Sequence, residues 1–271
     1  MDRSSIDRTD PCLELAMLLT ADVGNTETVL GVFDGPELAH TWRLSTQPER
    51  SADELALVFA GLLEHRGLSL EKLTGLCVAS VVPDVSQQLR EMATRYLPFE
   101  PLVVGPGTRT GVSVLTDNPR EVGADRIVNT LAAYTRFGGP AIVVDFGTGT
   151  NFDVVSEHGE FLGGVIAPGL QISAATLVQR AARLTRVEME APPSVIGTNT
   201  VEAIQSGLVF GTAGEVDGIV ERIRRDVGGA TTIATGGLAP VVIPHCRTID
   251  HHEPFLTLEG LRLVHGKNVD D

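Results

Sequence analysis

Two copies of one pattern, half a chain apart, constrain this sequence more than any other feature. The first is Met17-Leu-Leu-Thr-Ala-Asp22-Val23-Gly24-Asn25-Thr26-Glu27-Thr28-Val29-Leu-Gly31-Val-Phe33. The second is Ala141-Ile-Val-Val144-Asp145-Phe-Gly147-Thr148-Gly149-Thr150-Asn151-Phe152-Asp-Val-Val-Ser156. Each reads as an apolar strand running into an acid, a tight polar turn and a returning strand. Asp22 and Asp145 lie 123 residues apart, close to half of the 271-residue chain. A repeat of that length predicts two similar domains related by duplication. Taken singly, each segment reads equally well as a hairpin whose Asp, Gly and Asn satisfy turn geometry. As a pair they offer two turns facing each other across a cleft. A glycine in such a turn lets backbone approach a ligand closely. Hydroxyls and amide N–H groups there can donate to phosphate oxygens, and Asp22 can hold a metal ion or its water. Two such turns would grip a nucleotide polyphosphate and its cation from both sides.

Between the repeats, Ala39 to Thr46 alternates as a third strand, and Ser51-Ala-Asp-Glu54 has capping-box spacing before a helix over 55–63. Gly67 ends that helix. A buried strand over 76–82 stops at Pro83, a helix follows over 87–96, and 101–104 makes a short strand. Strands followed by alternating helices and strands predict an α/β domain with a mixed sheet. Phe137-Gly-Gly-Pro140 is the expected joint between halves. Beyond the second hairpin, 160–167 reads as a strand and 170–184 as an amphipathic helix. Asn199-x-x-Glu202 opens a long helix towards Arg225, 231–235 is a strand entering the Gly236-Gly237 turn, and 256–264 is a last helix. The spacing of Gly207, Gly211 and Gly214 in the long helix predicts close packing against another backbone. Asp84, Asp117 and Asp217 read as turn, cap or solvated-face residues, and His251-His252 as surface.

A long glycine-punctuated connection, 105–126, ends in Gly123-Ala124-Asp125-Arg126, which opens an apolar helix from Ile127 to Tyr134. Loops of this length inside a compact chain are usually functional. Asp125 has two readings: it caps the helix amides, or it accepts a proton from a substrate hydroxyl while Arg126 holds an anion or carbonyl.

Asp22-Val-Gly-Asn-Thr26, Gly123-Ala-Asp-Arg126, Asp145-Phe-Gly-Thr148, Gly163-Gly-Val-Ile-Ala-Pro-Gly169, Gly197-Thr-Asn-Thr200 and Thr235-Gly-Gly237 occur in this order. The ordered set resembles type III pantothenate kinases, of the acetate and sugar kinase/Hsp70/actin superfamily, over essentially everything from Met17 onwards. The resemblance implies an α/β fold of two duplicated actin-like (ribonuclease H-like) domains, each with a mixed five-stranded sheet, around an interdomain cleft. The expected division is a disordered extension over 1–16, one domain over 17–137 and a second over 138–271. The implied reaction is ATP-dependent phosphorylation of the primary hydroxyl of pantothenate, the first step of coenzyme A synthesis. By the same resemblance, Asp22, Val23, Gly24, Asn25, Thr26, Glu27, Thr28 and Val29 bind ATP phosphates, with Asp22 orienting Mg2+ and Thr148 contacting phosphate. Asp125 is the implied general base, and Gly123, Ala124, Asp125 and Arg126 line the pantothenate pocket. Asp145 is expected to help hold a monovalent cation, K+ or NH4+. Thr200 is expected to reach pantothenate from the neighbouring subunit, which makes the active unit a homodimer with a shared active site. The family usually has Ala and Thr where this chain has Gly149 and Asn151, and often a tyrosine where it has Thr116. Two alternatives stand beside this reading: a superfamily kinase with another acceptor, and a non-catalytic regulatory or scaffold homologue.

Bulk properties narrow the remaining classes. A formal net charge of −14 argues against a nucleic-acid grip and against an anionic membrane surface. Cys12, Cys77 and Cys246 are scattered without a Cys-x-x-Cys pair and read as reduced packing residues of a cytoplasmic protein. The polar first sixteen residues match neither a secretory signal nor a membrane span, and Met17 is a candidate start. Neither a phosphate loop ending in Gly-Lys-Ser/Thr nor a complete dinucleotide fingerprint occurs.

Overall fold

The computed structural model describes residues 17–180 and 187–269. The expected disordered extension over 1–16, Cys12 and the predicted helix end at Leu184 lie outside the described residues. The first half comprises β1 (Met17–Val23), β2 (Glu27–Asp34), β3 (Glu37–Ser45), α1 (Ala52–Glu64), β4 (Leu73–Ser80), α2 (Pro83–Tyr96), β5 (Leu102–Val103) and α3 (Ala124–Phe137). The second comprises β6 (Ala141–Phe146), β7 (Gly149–Val155), β8 (Phe161–Pro168), α4 (Leu170–Arg180), α5 (Thr200–Val227), β9 (Thr231–Thr235), α6 (Ala239–Val242), β10 (His251–His252) and α7 (Leu256–Val269).

The two halves build the same sheet. The first has strand order β3-β2-β1-β4-β5 and the second β10-β9-β6-β7-β8, which is the same arrangement read from the other edge. In each, a three-strand antiparallel meander is extended by two parallel strands. The predicted duplication is therefore a duplication of topology as well as of sequence pattern.

Most element assignments match the sequence reading, and the differences have local causes. Ser51 caps α1 with both bonds of the capping box in place. The second helix starts at Pro83 and not at Gln87, because proline is tolerated in the first turn, where its missing N–H has no partner to lose. Asn199 caps α5 by accepting from the Glu202 N–H at 3.0 Å. Among the described residues, Gly207, Gly211 and Gly214 do not pack against another backbone: a side chain at any of them would meet nothing within 4 Å. Asp217 is not on a solvated face. It is 4% exposed and accepts from the Arg247 N–H at 2.9 Å, the Thr248 N–H at 3.0 Å and the Thr248 hydroxyl at 2.8 Å, tying 247–248 to α5. Strand β10, His251–His252, is exposed at the edge of the second sheet, with His251 stacked on Phe137 at 4.5 Å.

The core lies on both faces of each sheet. Helices α1 and α2 cover one face of the first sheet through Phe59, Leu63, Leu89 and Met92. Helices α5 and α6 cover one face of the second through Val216, Val220, Ala239 and Val242. Helices α3 and α7 fill the space between the sheets. Val128 and Leu131 of α3 pack with Leu258, Leu261 and Val264 of α7 against Leu18, Cys77 and Ala79 of the first sheet. Ala132 and Ala133 face Val143, Val155 and Ile233 of the second. Where α3 and α7 cross, Gly260 sits so close that a Cβ there would collide with the Val128 carbonyl.

Candidate active site

The central strands β1 and β6 each carry an acid one residue from the C-terminal end, Asp22 and Asp145. A tight turn follows each acid. In the first, the Gly24 N–H donates to the Glu27 carbonyl at 2.9 Å, and the Thr46 hydroxyl donates to the Gly24 carbonyl at 2.7 Å. In the second, the Gly147 N–H donates to the Gly149 carbonyl at 3.0 Å. Asn25, Thr26 and Glu27 are exposed at the first turn, as are Gly147 and Thr148 at the second. The two turns meet: Thr26 Oγ1 and Thr148 Oγ1 lie 3.2 Å apart, although 122 residues separate them in the chain.

A third turn closes the site from the end of β9. Gly236 has φ +94, and a Cβ there would stand 2.5 Å from Asp145 Oδ1. Only glycine fits both the backbone angle and the space. A Cβ at Gly237 would stand 3.2 Å from Arg43 Nη1, so this turn of the second half faces β3 of the first. Arg43 in turn pairs with Glu27 at 2.9 Å. Gly236 thus has a packing reason to be glycine.

Asp125 stands in the first turn of α3. A Cβ at Gly123 would collide with its Oδ1, which explains the glycine at the helix N-cap. Burial raises the pKa of Asp125, opposed by backbone N–H groups of the first turn and by Arg126. Burial also holds Asp22 well above the usual carboxylate range, with the charges of Asp125 and Asp145 adding to the effect and Arg43 opposing it. Asp145 is pushed up to about 7, by burial and then by Asp125. The three acids thus share one electrostatic neighbourhood, yet each keeps part of its surface open.

That neighbourhood suits a hard cation. Three partly desolvated carboxylates repel one another unless positive charge stands among them. Among the described residues, no group of three or more His, Cys, Asp or Glu is placed to hold a metal ion by itself. A site for Mg2+ needs only one or two protein carboxylates, because phosphate oxygens and waters complete the shell.

The other predicted residues are distributed unevenly. Val23 is 1% exposed, so only its backbone is available to a ligand, and the Thr28 hydroxyl is taken up by Thr46 at 2.9 Å. Val29 and Ala124 pack at the edge of the core between the sheets. Arg126 reaches across to the second sheet, where its Nε donates to Asp153 Oδ1 at 2.5 Å and its guanidinium lies 5.1 Å above the Phe161 ring. Thr200 stands elsewhere. With Thr198, Asn199 and Gly207 it lines a hollow of about 640 Å³ between α4 and α5.

Three residues near the acids escaped the sequence reading. Arg43 looks like any cation of an alternating strand. Asp153 is 0% exposed, and an acid within the apolar run Phe152-Asp-Val-Val was the available signal that a partner must exist. Asn129, one helical turn beyond Asp125, is 1% exposed, and neither of its side-chain polar atoms has a partner among the described residues.

Comparison with known proteins follows the same lines. The family model for type III pantothenate kinase matches residues 18–222. A type III pantothenate kinase from Frankia alni (strain DSM 45986 / CECT 9034 / ACN14a) is 58% identical over 256 residues, covering 93% of this chain and all of that protein. One from Salinispora arenicola (strain CNS-205) is 58% identical over 255 residues, with coverage of 93% and 100%. Among solved structures, a ROK hexokinase from Thermus thermophilus aligns with a TM-score of 0.50 at 14% identity, covering 94% of this chain and 100% of that one. At that identity the likeness speaks for the fold alone: two mixed α/β sheets around a shared cleft.

Proposed function

The chain belongs to the type III pantothenate kinase family, and from that premise we propose how its cleft divides the work of the reaction. The activity is transfer of the γ-phosphoryl group of ATP to pantothenate, at the entry to coenzyme A synthesis. Phosphoryl transfer asks a protein for positioning and charge neutralisation more than for covalent chemistry. The observation that carries the reading is the meeting of Thr26 and Thr148 at 3.2 Å, which sets two phosphate-type turns and three acids around one point.

In this reading the turn from Asp22 to Val29 holds the ATP phosphates, through backbone N–H groups and the exposed side chains of Asn25 and Thr26. Thr148 supplies a donor from the other side. Asp22 orients Mg2+, which when bound neutralises phosphate charge and relieves the repulsion among the acids. Asp125 accepts the proton of the acceptor's primary hydroxyl as that oxygen attacks phosphorus, and its raised pKa makes it a better base than an exposed aspartate. Gly123 and Ala124 keep the approach narrow, and Arg126 faces the carboxylate of pantothenate. Asp145 helps hold K+ or NH4+.

The active unit in this reading is a homodimer, with Thr200 entering the partner's pantothenate pocket. Supporting it, Ile166, Val195 and Ile196 are large apolar residues that are 68%, 67% and 76% exposed, and Ile172, Leu177 and Val201 are exposed as well. The α5 face carrying Gly207, Gly211 and Gly214 is open beside them. We assign the protein to the cytoplasm, a reducing compartment that suits the free thiols of Cys77 and Cys246, both pushed by burial up to about 12. Among the described residues, no helix is long and apolar enough to cross a membrane. The domain division at 137 places the joint at Gly138-Gly139-Pro140.

The test is coupled ADP release with ATP, Mg2+, K+ and pantothenate, against a control without pantothenate. Pantothenate-dependent ADP release, with phosphopantothenate identified by mass, is the expected result. No turnover at saturating ATP would instead favour a regulatory homologue.

A further inference from the structure

We infer that Asp153 is a positioning residue for the acceptor: it locks Arg126 by its Nε edge and so fixes the guanidinium beside Asp125 for the pantothenate carboxylate. This rests on the reading above, in which Arg126 faces the acceptor's carboxylate.

The geometry of the pair carries the inference. Asp153 is 0% exposed on β7, opposite Val143 of β6 and Gly164 of β8. Its Oδ1 accepts from Arg126 Nε at 2.5 Å, while its Oδ2 and Arg126 Nη2 are both buried without a partner among the described residues. An ion pair kept only for stability would close both prongs, since each unmet buried donor or acceptor costs free energy. It would also be a poor stabilising device, because well-packed apolar residues often serve as well or better. One-pronged pairing instead holds the guanidinium by a single edge. Two further neighbours fix the rest of it. The Phe161 ring lies 5.1 Å beneath the guanidinium, and a Cβ at Gly164 would stand 2.7 Å from Nη2 and collide with the Phe152 carbonyl. The guanidinium is thus held by a carboxylate, a ring and a bare glycine on β7 and β8, one residue along α3 from Asp125. A donor fixed before binding loses little freedom when an anion arrives.

Steady-state kinetics with ATP and pantothenate varied separately test this in wild type, Asp153→Asn, Asp153→Ala, Arg126→Ala and the double alanine variant. Asp153→Ala is expected to raise the pantothenate KM roughly tenfold or more, with the ATP KM within about twofold of wild type. Asp153→Asn keeps an oxygen for Nε and is expected to stay within about threefold. Adding Asp153→Ala to Arg126→Ala is expected to change the pantothenate KM less than about twofold, because the two act through one group. Circular dichroism melts identify folded protein, and Asp153→Ser, whose oxygen is too short to reach Nε, replaces the alanine if that is not recovered folded. An unchanged pantothenate KM in Asp153→Ala, an equal rise in both KM values, or an undiminished effect in the Arg126→Ala background overturns the role of Asp153. An Arg126→Ala variant with an unchanged pantothenate KM instead overturns the acceptor role of Arg126, and this inference with it.

Discussion

Asp22, Asp125 and Asp145 are each half-sheltered and each within the others' electrostatic reach, so their behaviour is collective. Removing one should report on its own task if shape is conserved. Asp125→Asn keeps volume and removes the basic site, and kcat is expected to fall about 10²- to 10⁴-fold with the melting temperature retained; rapid-quench single turnovers check the chemical step. Asp145 allows a test of stability. Its folded pKa of about 7 lies above the ordinary carboxylate value, so between the two the folded state binds more protons than the unfolded one. Stability contributed at this site therefore falls as pH rises from about 4 to about 7. In buffer free of divalent cations, K+ and NH4+, Asp145→Asn is expected to melt above wild type at pH 8, with the gap narrowing towards pH 4; thermal melts across that range check it. At this scale Asp22, Asp125 and Asp145 were legible, because each sits where an apolar run meets a glycine-marked turn. Asp153 and Asn129 were not, since strand alternation and helix spacing do not reveal which polar side chains the opposing sheet will bury.

Among the elements, the crossing of α3 and α7 does the most to join the halves. Gly260 allows it, and Gly260→Ala places a methyl group against the Val128 carbonyl. We expect a loss of roughly 1–3 kcal/mol, the usual cost of overpacking, measured by urea unfolding. Hairpins, capped helices and the strand before the glycine turn were readable locally, because Ser51, Asn199 and the Asp-x-Gly turns act through near neighbours. The partner of α7 was not readable: its apolar pattern specifies a buried face but not the first sheet as the surface that buries it. The open glycine face of α5 shows the opposite limit. Small residues at helical spacing invite close approach, and the described residues supply nothing to approach.

For the whole molecule, that open face and the hollow at Thr200 bear on assembly. If the proposed homodimer forms through this face, Gly211→Leu is expected to make the protein monomeric and to raise the pantothenate KM, checked by light scattering and kinetics. Replacing K+ by Na+ is expected to suppress activity; equal rates in the two salts would remove Asp145 from its cation role. The duplication was legible from two short repeats, and it fixed the architecture because identical strand orders follow from identical hairpins and crossovers. The return of α7 to the first sheet has a consequence for how the protein is made. Leu258, Leu261 and Val264 complete a core begun by Leu18, so β1 waits for a helix made far later in the chain. A ribosome adding about 5–20 residues per second therefore leaves one apolar face of the first sheet incompletely covered until α7 emerges.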